Sequence, residues 1–240
     1  MKKYDNIVKN SLKGPFEMRL FKPHELPGTL ICVEGIDGSG KSTQLGILRD
    51  WLKSKNLDVI FTEWNSSDLI SQTTKKAKKK NLLSPRTFSL LHAVDFADRL
   101  EQIIIPAMKA GFIVLADRYV YTAFARDVAR GVDRDWVRNM YGFAVKPDLA
   151  LYYSIPAEVS LERICANRAP SFYEAGMDLK LSNNPYKSYV IFQSRVNEEY
   201  ADMVNEFGLV RIDANNTIHS KQVLLRQYVT ELLSKKGIQI

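Results

Sequence analysis

The chain has 240 residues, of which 45% are hydrophobic and 25% charged, with a net charge of +7; this is the composition of an ordinary soluble globular protein, and one α/β domain is the expectation. No run approaches the ~18 apolar residues that span a bilayer, and the N-terminal stretch is too polar for a signal-peptide core, so a cytoplasmic protein without a membrane partner is expected. The charge is local: residues 1–28 hold six basic against three acidic residues, and Lys75, Lys76, Lys78, Lys79 and Lys80 form one run, leaving the rest near neutral. With no nucleic-acid-binding motif beside it, that run reads as a solvated helix end, and a nucleic-acid partner is not expected.

Residues 1–28 show no periodicity and contain Gly14-Pro15, Pro23 and Pro27-Gly28, so they read as an extension before the fold. From Thr29 the pattern turns to strand then helix: Leu30-Ile31-Cys32-Val33 is a short apolar run, and Leu45, Leu48 and Leu52 follow at helical spacing. Further strands are predicted at residues 58–62, 112–116, 149–153 and 209–212. The longest helix is predicted over 85–110, with Ser84 as N-cap and Gly111 as its stop, and others at 133–145, 157–167, 188–207 and 220–235. Such alternation predicts a parallel sheet with helices on both faces and ligands beyond the carboxyl ends of its strands. Cys32 and Cys165 lack metal-ligand spacing and are expected to be buried free thiols.

Directly after the first strand, Gly35-Ile36-Asp37-Gly38-Ser39-Gly40-Lys41-Ser42 fits G-x-x-x-x-G-K-[ST] and enters a helix. Glycines let successive backbone N–H groups wrap anionic oxygens, aided by the helix N-terminus. Lys41 can reach the β and γ phosphates and Ser42 can ligate Mg²⁺, so ATP with magnesium is the implied ligand. The third strand ends in Asp117-Arg118-Tyr119, placing a carboxylate for a magnesium-bound water and a phosphate-binding guanidinium at the same sheet edge. His24, His92 and His219 lie outside these motifs and read as structural or surface residues.

Together with Phe96-Ala97-Asp98-Arg99, Pro147-Asp148-Leu149 and Leu161-Glu162-Arg163 followed by Arg168, these segments make the chain resemble the thymidylate kinase family from about Thr29 to the C-terminus. The resemblance implies a five-stranded P-loop nucleotide-kinase core, usually a homodimer, that moves the γ-phosphoryl group of ATP to dTMP. Gly35, Asp37, Gly38, Ser39, Gly40, Lys41, Ser42 and Thr43 are the candidate donor-binding residues, with Ser42 and Asp117 on the metal; the resemblance adds Arg163 on the donor side and places Asp37 near the acceptor sugar and phosphate. Asp37, Lys41, Arg118 and Arg168 are the candidate catalytic residues, Arg168 as an arginine finger carried by a mobile lid of about residues 168–187 with a possible hinge glycine at Gly176. Phe96, Arg99, Arg118 and Tyr119 are the candidate acceptor-binding residues.

Three departures fall on the acceptor side. Glu63 stands where the family has an arginine that clamps the acceptor phosphate, Asp95 where it has a base-stacking phenylalanine, and Ala125-Arg126-Asp127 where it has Ala-Tyr-Gln. Arg126 is a candidate replacement clamp, while Trp64, Asp95 and Asp127 read equally as a new base pocket or as ordinary packing and surface residues. A kinase for another nucleotide or for a nucleoside, with Glu34 or Glu63 as base, and a nucleotide-binding regulator without turnover are the alternatives to dTMP phosphorylation.

Overall fold

A computed structural model describes residues 23–81 and 83–240; most of the expected N-terminal extension lies outside the described residues. Five strands, β1 (Thr29–Glu34), β2 (Val59–Glu63), β3 (Ile113–Asp117), β4 (Leu149–Ser154) and β5 (Val210–Asp213), form one all-parallel sheet in the order β2-β3-β1-β4-β5. Each predicted strand is found within one residue of its expected start. β1 is buried along its whole length, as an unbroken apolar strand covered on both faces must be.

The helices are α1 (Lys41–Ser54), α2 (Ser71–Lys79), α3 (Pro85–Arg99), α4 (Val120–Ala129), α5 (Arg134–Met140), α6 (Ala157–Cys165), α7 (Pro185–Phe207) and α8 (Ile218–Lys235). Ser84 caps α3 by accepting from the Thr87 N–H at 3.3 Å. The helical path continues past α3 through a π turn, Leu100–Ile104, and a last helical turn, Ile105–Lys109, before Gly111 at φ 86°. Pro106 in that last turn has no N–H to return to Gln102, and a widened turn just before it is one way to absorb the loss.

One helix, α4, is not foreseen by the sequence pattern, and of α2 only the lysine-rich end is foreseen. α2 is nearly all polar and shows no apolar period, and α4 follows its strand so closely that its apolar residues merge with it. The helix expected over 133–145 is only Arg134–Met140, and Cys165, expected to be buried, is exposed at the end of α6 while Cys32 is buried. Residues 23–28 are not detached from the domain: the Gly28 N–H donates to the Met108 carbonyl at 2.8 Å, and His24 lies 3.3 Å from the Asp148 carboxylate. Asp148 in turn accepts from the Leu30 N–H at 2.7 Å and pairs with Lys236 at 2.6 Å, fastening the start of β1 to the C-terminal end.

Sheet register positions the site. Val33 and Glu63 both stand opposite Asp117, so the loops leaving β1, β2 and β3 emerge side by side. The backbone continues the pairing beyond the strands, with the Arg118 N–H donating to Val33 at 3.0 Å and the Trp64 N–H to Asp117 at 3.1 Å.

Candidate active site

The loop from Gly35 to Gly40 forms a cradle that only glycines permit at its tightest points. A Cβ on Gly35, at φ 135°, would fall 2.6 Å from the Tyr153 carbonyl oxygen, and one on Gly38, at φ 72°, would fall 2.9 Å from that of Ser160. Gly40, also left-handed, opens α1 and leaves its first backbone N–H groups free for an anion. Inside, Lys41 donates to the Ile36 carbonyl at 2.7 Å and the Ser39 hydroxyl at 3.2 Å. Burial and the Arg118 guanidinium push the Lys41 ammonium down to about 7, against the pull of Asp117 and Asp37. Burial thus leaves its charged form only partly compensated by Asp117 and Asp37. A polyphosphate supplies further counter-charge.

Ser42 donates a short hydrogen bond to the Asp117 carboxylate. A hydroxyl and a carboxylate together suit a hard cation such as Mg²⁺, which takes one or two protein oxygens and completes its shell with water and phosphate. No cluster of three or more His, Cys, Asp or Glu that could hold a metal by itself exists among the described residues. The cradle opens to a cavity of about 370 Å³ lined by Gly38, Lys41, Ser42, Thr43 and Asp117. Beside it, Arg163 reaches the carbonyls of Gly38 at 3.4 Å and Ala214 at 3.2 Å. Lys221, which no sequence motif marks, also donates to Ala214, at 3.0 Å.

A second cavity, of about 460 Å³, adjoins the first, and Asp37, Trp64 and Arg118 line both. Asp37 is gripped by two arginines, Arg118 at one carboxylate oxygen and Arg126 at the other, each at 2.5 Å. Burial alone would raise the Asp37 pKa, but Arg126, Arg118 and Lys41 outweigh it and hold the carboxyl far below its ordinary value. Arg118 also donates to the Gly35 carbonyl and the Thr122 hydroxyl, both at 3.0 Å. Its backbone sits at φ 74°, a left-handed conformation that costs a non-glycine residue about 1–3 kcal/mol and recurs at functional sites. Arg126 lies one turn along α4 from Thr122, so one helix presents it and supports Arg118.

Much of this cavity's wall is aromatic, with Trp64, Phe88, His92, Phe172 and Tyr173 in it. Lys78 also lines it, 5.0 Å from the Phe88 ring centroid. Burial, Arg126 and Arg130 push its ammonium down to about 8, so this member of the lysine run is not the solvated residue that the sequence suggested. The lysines on either side of it in the run remain exposed. Arg130 is buried between Phe88 and Phe192 and donates to the Tyr173 carbonyl at 2.7 Å and to Asp178 at 3.1 Å. It ties α4 to the segment between α6 and α7.

That segment is more closely packed than a free lid. A Cβ on Gly176 would lie 2.7 Å from Phe192, so this glycine serves close packing, whereas a hinge was expected. Arg168 is exposed and held by Glu174 through two bonds of 2.7 Å; it lines neither cavity.

Phe96, Arg99 and Tyr119 also line neither cavity. Phe96 is fully buried against Tyr119, Tyr141 and Trp64. Arg99 is buried beneath Trp64, donates to Thr62 at 3.1 Å and lies 3.7 Å from Asp95. The cause is Asp95, one turn earlier on α3: its carboxylate accepts from the backbone N–H groups of Asn65 at 3.0 Å and Ser67 at 2.9 Å, fixing the loop after β2 and drawing Arg99 inward. Asp95 is thus a loop anchor. Glu34 is likewise buried, accepting from the Tyr119 N–H at 2.6 Å and the Tyr200 hydroxyl at 2.8 Å, and does not reach a cavity. Glu63 lines the phosphate cavity.

A phosphate cradle on a parallel sheet, joined through a shared aspartate and arginine to a second nucleotide-sized cavity, defines a P-loop phosphotransferase of the nucleoside monophosphate kinase class. Comparison with known proteins narrows this. The chain belongs to the thymidylate kinase family, whose model, described as thymidylate kinase, matches residues 33–223. It is 46% identical to a probable thymidylate kinase 2 of Saccharolobus solfataricus over 208 residues, 86% of this chain and 97% of that protein. It is 32% identical to a probable thymidylate kinase of Thermococcus onnurineus over 76% of this chain and 87% of that one. A thymidylate kinase of Desulfotalea psychrophila is 37% identical over 59% of this chain and 71% of its own length.

Proposed function

We propose that the protein transfers the γ-phosphoryl group of ATP, with Mg²⁺, to dTMP, giving ADP and dTDP. The observation that carries this reading is the meeting of the two cavities at Asp37 and Arg118. A donor phosphate in the cradle and an acceptor phosphate at the arginines would face each other there. Phosphoryl transfer is mainly alignment and charge stabilisation, and the residues fit those tasks. Gly35 to Gly40 and Lys41 hold the donor phosphates, Ser42 and Asp117 hold the cation, and Arg163 supports the donor side. Bound Mg²⁺ would supply neutralisation of charge on the transferring oxygens.

Arg118 and Arg126 orient the acceptor phosphate, Arg126 taking the place of the arginine lost at Glu63. Both pair with Asp37, whose carboxylate occupies the position a phosphate oxygen would take between them. Arg168 completes the site when the lid closes, exchanging Glu174 for the transferring group. The acceptor phosphate is already ionised at neutral pH, so no strong base is needed.

We further propose a cytoplasmic homodimer. No helix among the described residues is long and apolar enough to cross a membrane, and α3 carries Leu90 and Val94 exposed on one side. The test of the activity is ADP production with Mg-ATP against a panel of nucleoside monophosphates and nucleosides, with Lys41→Ala as background. Turnover confined to another acceptor, or ATP binding without turnover on any, would refute the dTMP assignment.

A further inference from the structure

Four side chains that line the larger cavity carry buried polar atoms with no hydrogen-bond partner among the described residues: Trp64 Nε1, Asn65 Oδ1, Arg126 Nε and the ring nitrogens of His92, of which Nδ1 faces the Asp127 carboxylate at 3.7 Å. Buried polar groups in native proteins are paired as a rule. Trp64, Asn65 and His92 are neighbours in that wall, and their unpaired atoms, buried just beneath its surface, point to bonding completed when a ligand enters.

The atoms indicate what would complete it. An indole N–H donates and cannot accept. His92 packs against Phe88 with ring centroids 4.3 Å apart and stands edge-on to Trp64 at 5.5 Å. Burial lowers its pKa, opposed by Asp127 and reinforced by the Lys78 and Arg130 charges, so the ring is neutral, with one N–H and one lone pair. Asp127 decides which nitrogen carries the proton. It is fully buried, held by the Ser89 hydroxyl at 2.7 Å, and its other carboxylate oxygen lies 3.7 Å from His92 Nδ1. A carboxylate on that side favours the proton on Nδ1 and leaves Nε2 as an acceptor.

A donor beside an acceptor complements an imide edge, an N–H flanked by carbonyls, as in thymine. Cytosine reverses this pattern at N3 and the 4-position and keeps the carbonyl at the 2-position. Taking the cavity as the acceptor site proposed above, we propose that His92 Nε2 accepts the N3–H of the acceptor base while Trp64 Nε1 donates to its 4-carbonyl. The pair thereby selects thymine over cytosine. Base recognition would then lie on the loop after β2 and the middle of α3, because Phe96 and Arg99 are sealed beneath Trp64.

The test compares kcat/KM for dTMP, N3-methyl-dTMP and dCMP in the wild type, in His92→Phe, which keeps a ring but no nitrogen, and in Trp64→Phe. The wild type should prefer dTMP over the N3-methyl analogue by about 100-fold or more, since a site built around a hydrogen bond rejects a ligand that cannot make it. In His92→Phe that preference should shrink to under about tenfold, with the KM for ATP unchanged. Trp64→Phe should lose about tenfold of the preference for dTMP over dCMP. Equal use of dTMP and its N3-methyl analogue by the wild type, or an undiminished preference in a folded His92→Phe, would overturn the assignment. If His92→Phe fails to fold, the wild-type ratio and the Trp64→Phe arm decide. Wild-type turnover of dCMP but not dTMP is a different result, which overturns the acceptor reading itself.

Discussion

The phosphate cradle and the proposed acceptor cavity share Asp37, Trp64 and Arg118, yet they are assembled in opposite ways. The cradle is one contiguous loop whose shape follows from its own glycines and from the helix it opens. The acceptor cavity is gathered from the loop after β2, from α2, α3 and α4, and from the segment between α6 and α7. No single segment holds its pattern. A contiguous site tolerates little change in its own residues, whereas a gathered one can exchange an arginine on one element for an arginine on another. Glu63 and Arg126 are read here as such an exchange.

The sharpest test of the cradle is Lys41→Ala, which should lower kcat by about 10³, the upper range for removing one preorganised charge-stabilising donor. Steady-state ADP release measures it. A loss under tenfold would mean that the cradle binds without contributing to the transfer. Arg168→Ala comes next, with kcat down about 10² and both KM values little changed. Unchanged kcat would make the Arg168–Glu174 pair a surface ion pair and leave the lid without its cation.

Arg126→Ala separates the two regions. It should raise the KM for the acceptor by about 10- to 100-fold, as expected for a charge-assisted hydrogen bond, and leave the KM for ATP alone. An equal effect on both substrates would mean that Arg126 acts through Asp37 on the whole site.

The smallest effect concerns stability. Burial lifts Glu34 to about 7, despite the Tyr119 N–H and the Arg118 charge that favour its ionised form. The folded protein therefore holds a proton that the unfolded chain releases near 4.5. Stability from this group is complete below that value and is lost as the pH rises through about 7. Glu34→Gln should remove this dependence and leave the variant relatively more stable at pH 8, by at most about 3 kcal/mol. Thermal denaturation at pH 5 and pH 8 reads the difference, and parallel pH profiles for both proteins would contradict it.

Much of the molecule was legible in the sequence. Strands buried on both faces are unbroken apolar runs, and the cradle, Ser84 cap and Asp-Arg turn are local patterns with local causes. The start of α2 was hidden because a polar helix has no apolar period, and the burial of Lys78 was not legible because it depends on what packs above one lysine of a run. Phe96 and Arg99 followed the family pattern in sequence, but Asp95 redirected them through hydrogen bonds to residues about 30 positions away.

The sequence by itself determined the sheet, the donor cradle and the membership of a kinase family, because each depends on neighbours along the chain. Only the tertiary structure decided which arginines line the second cavity, which aromatic residues wall it and which buried polar atoms remain unpaired. Those properties arise where distant segments meet, and a side chain's charge state and hydrogen-bond partners there are set by packing that no local pattern encodes.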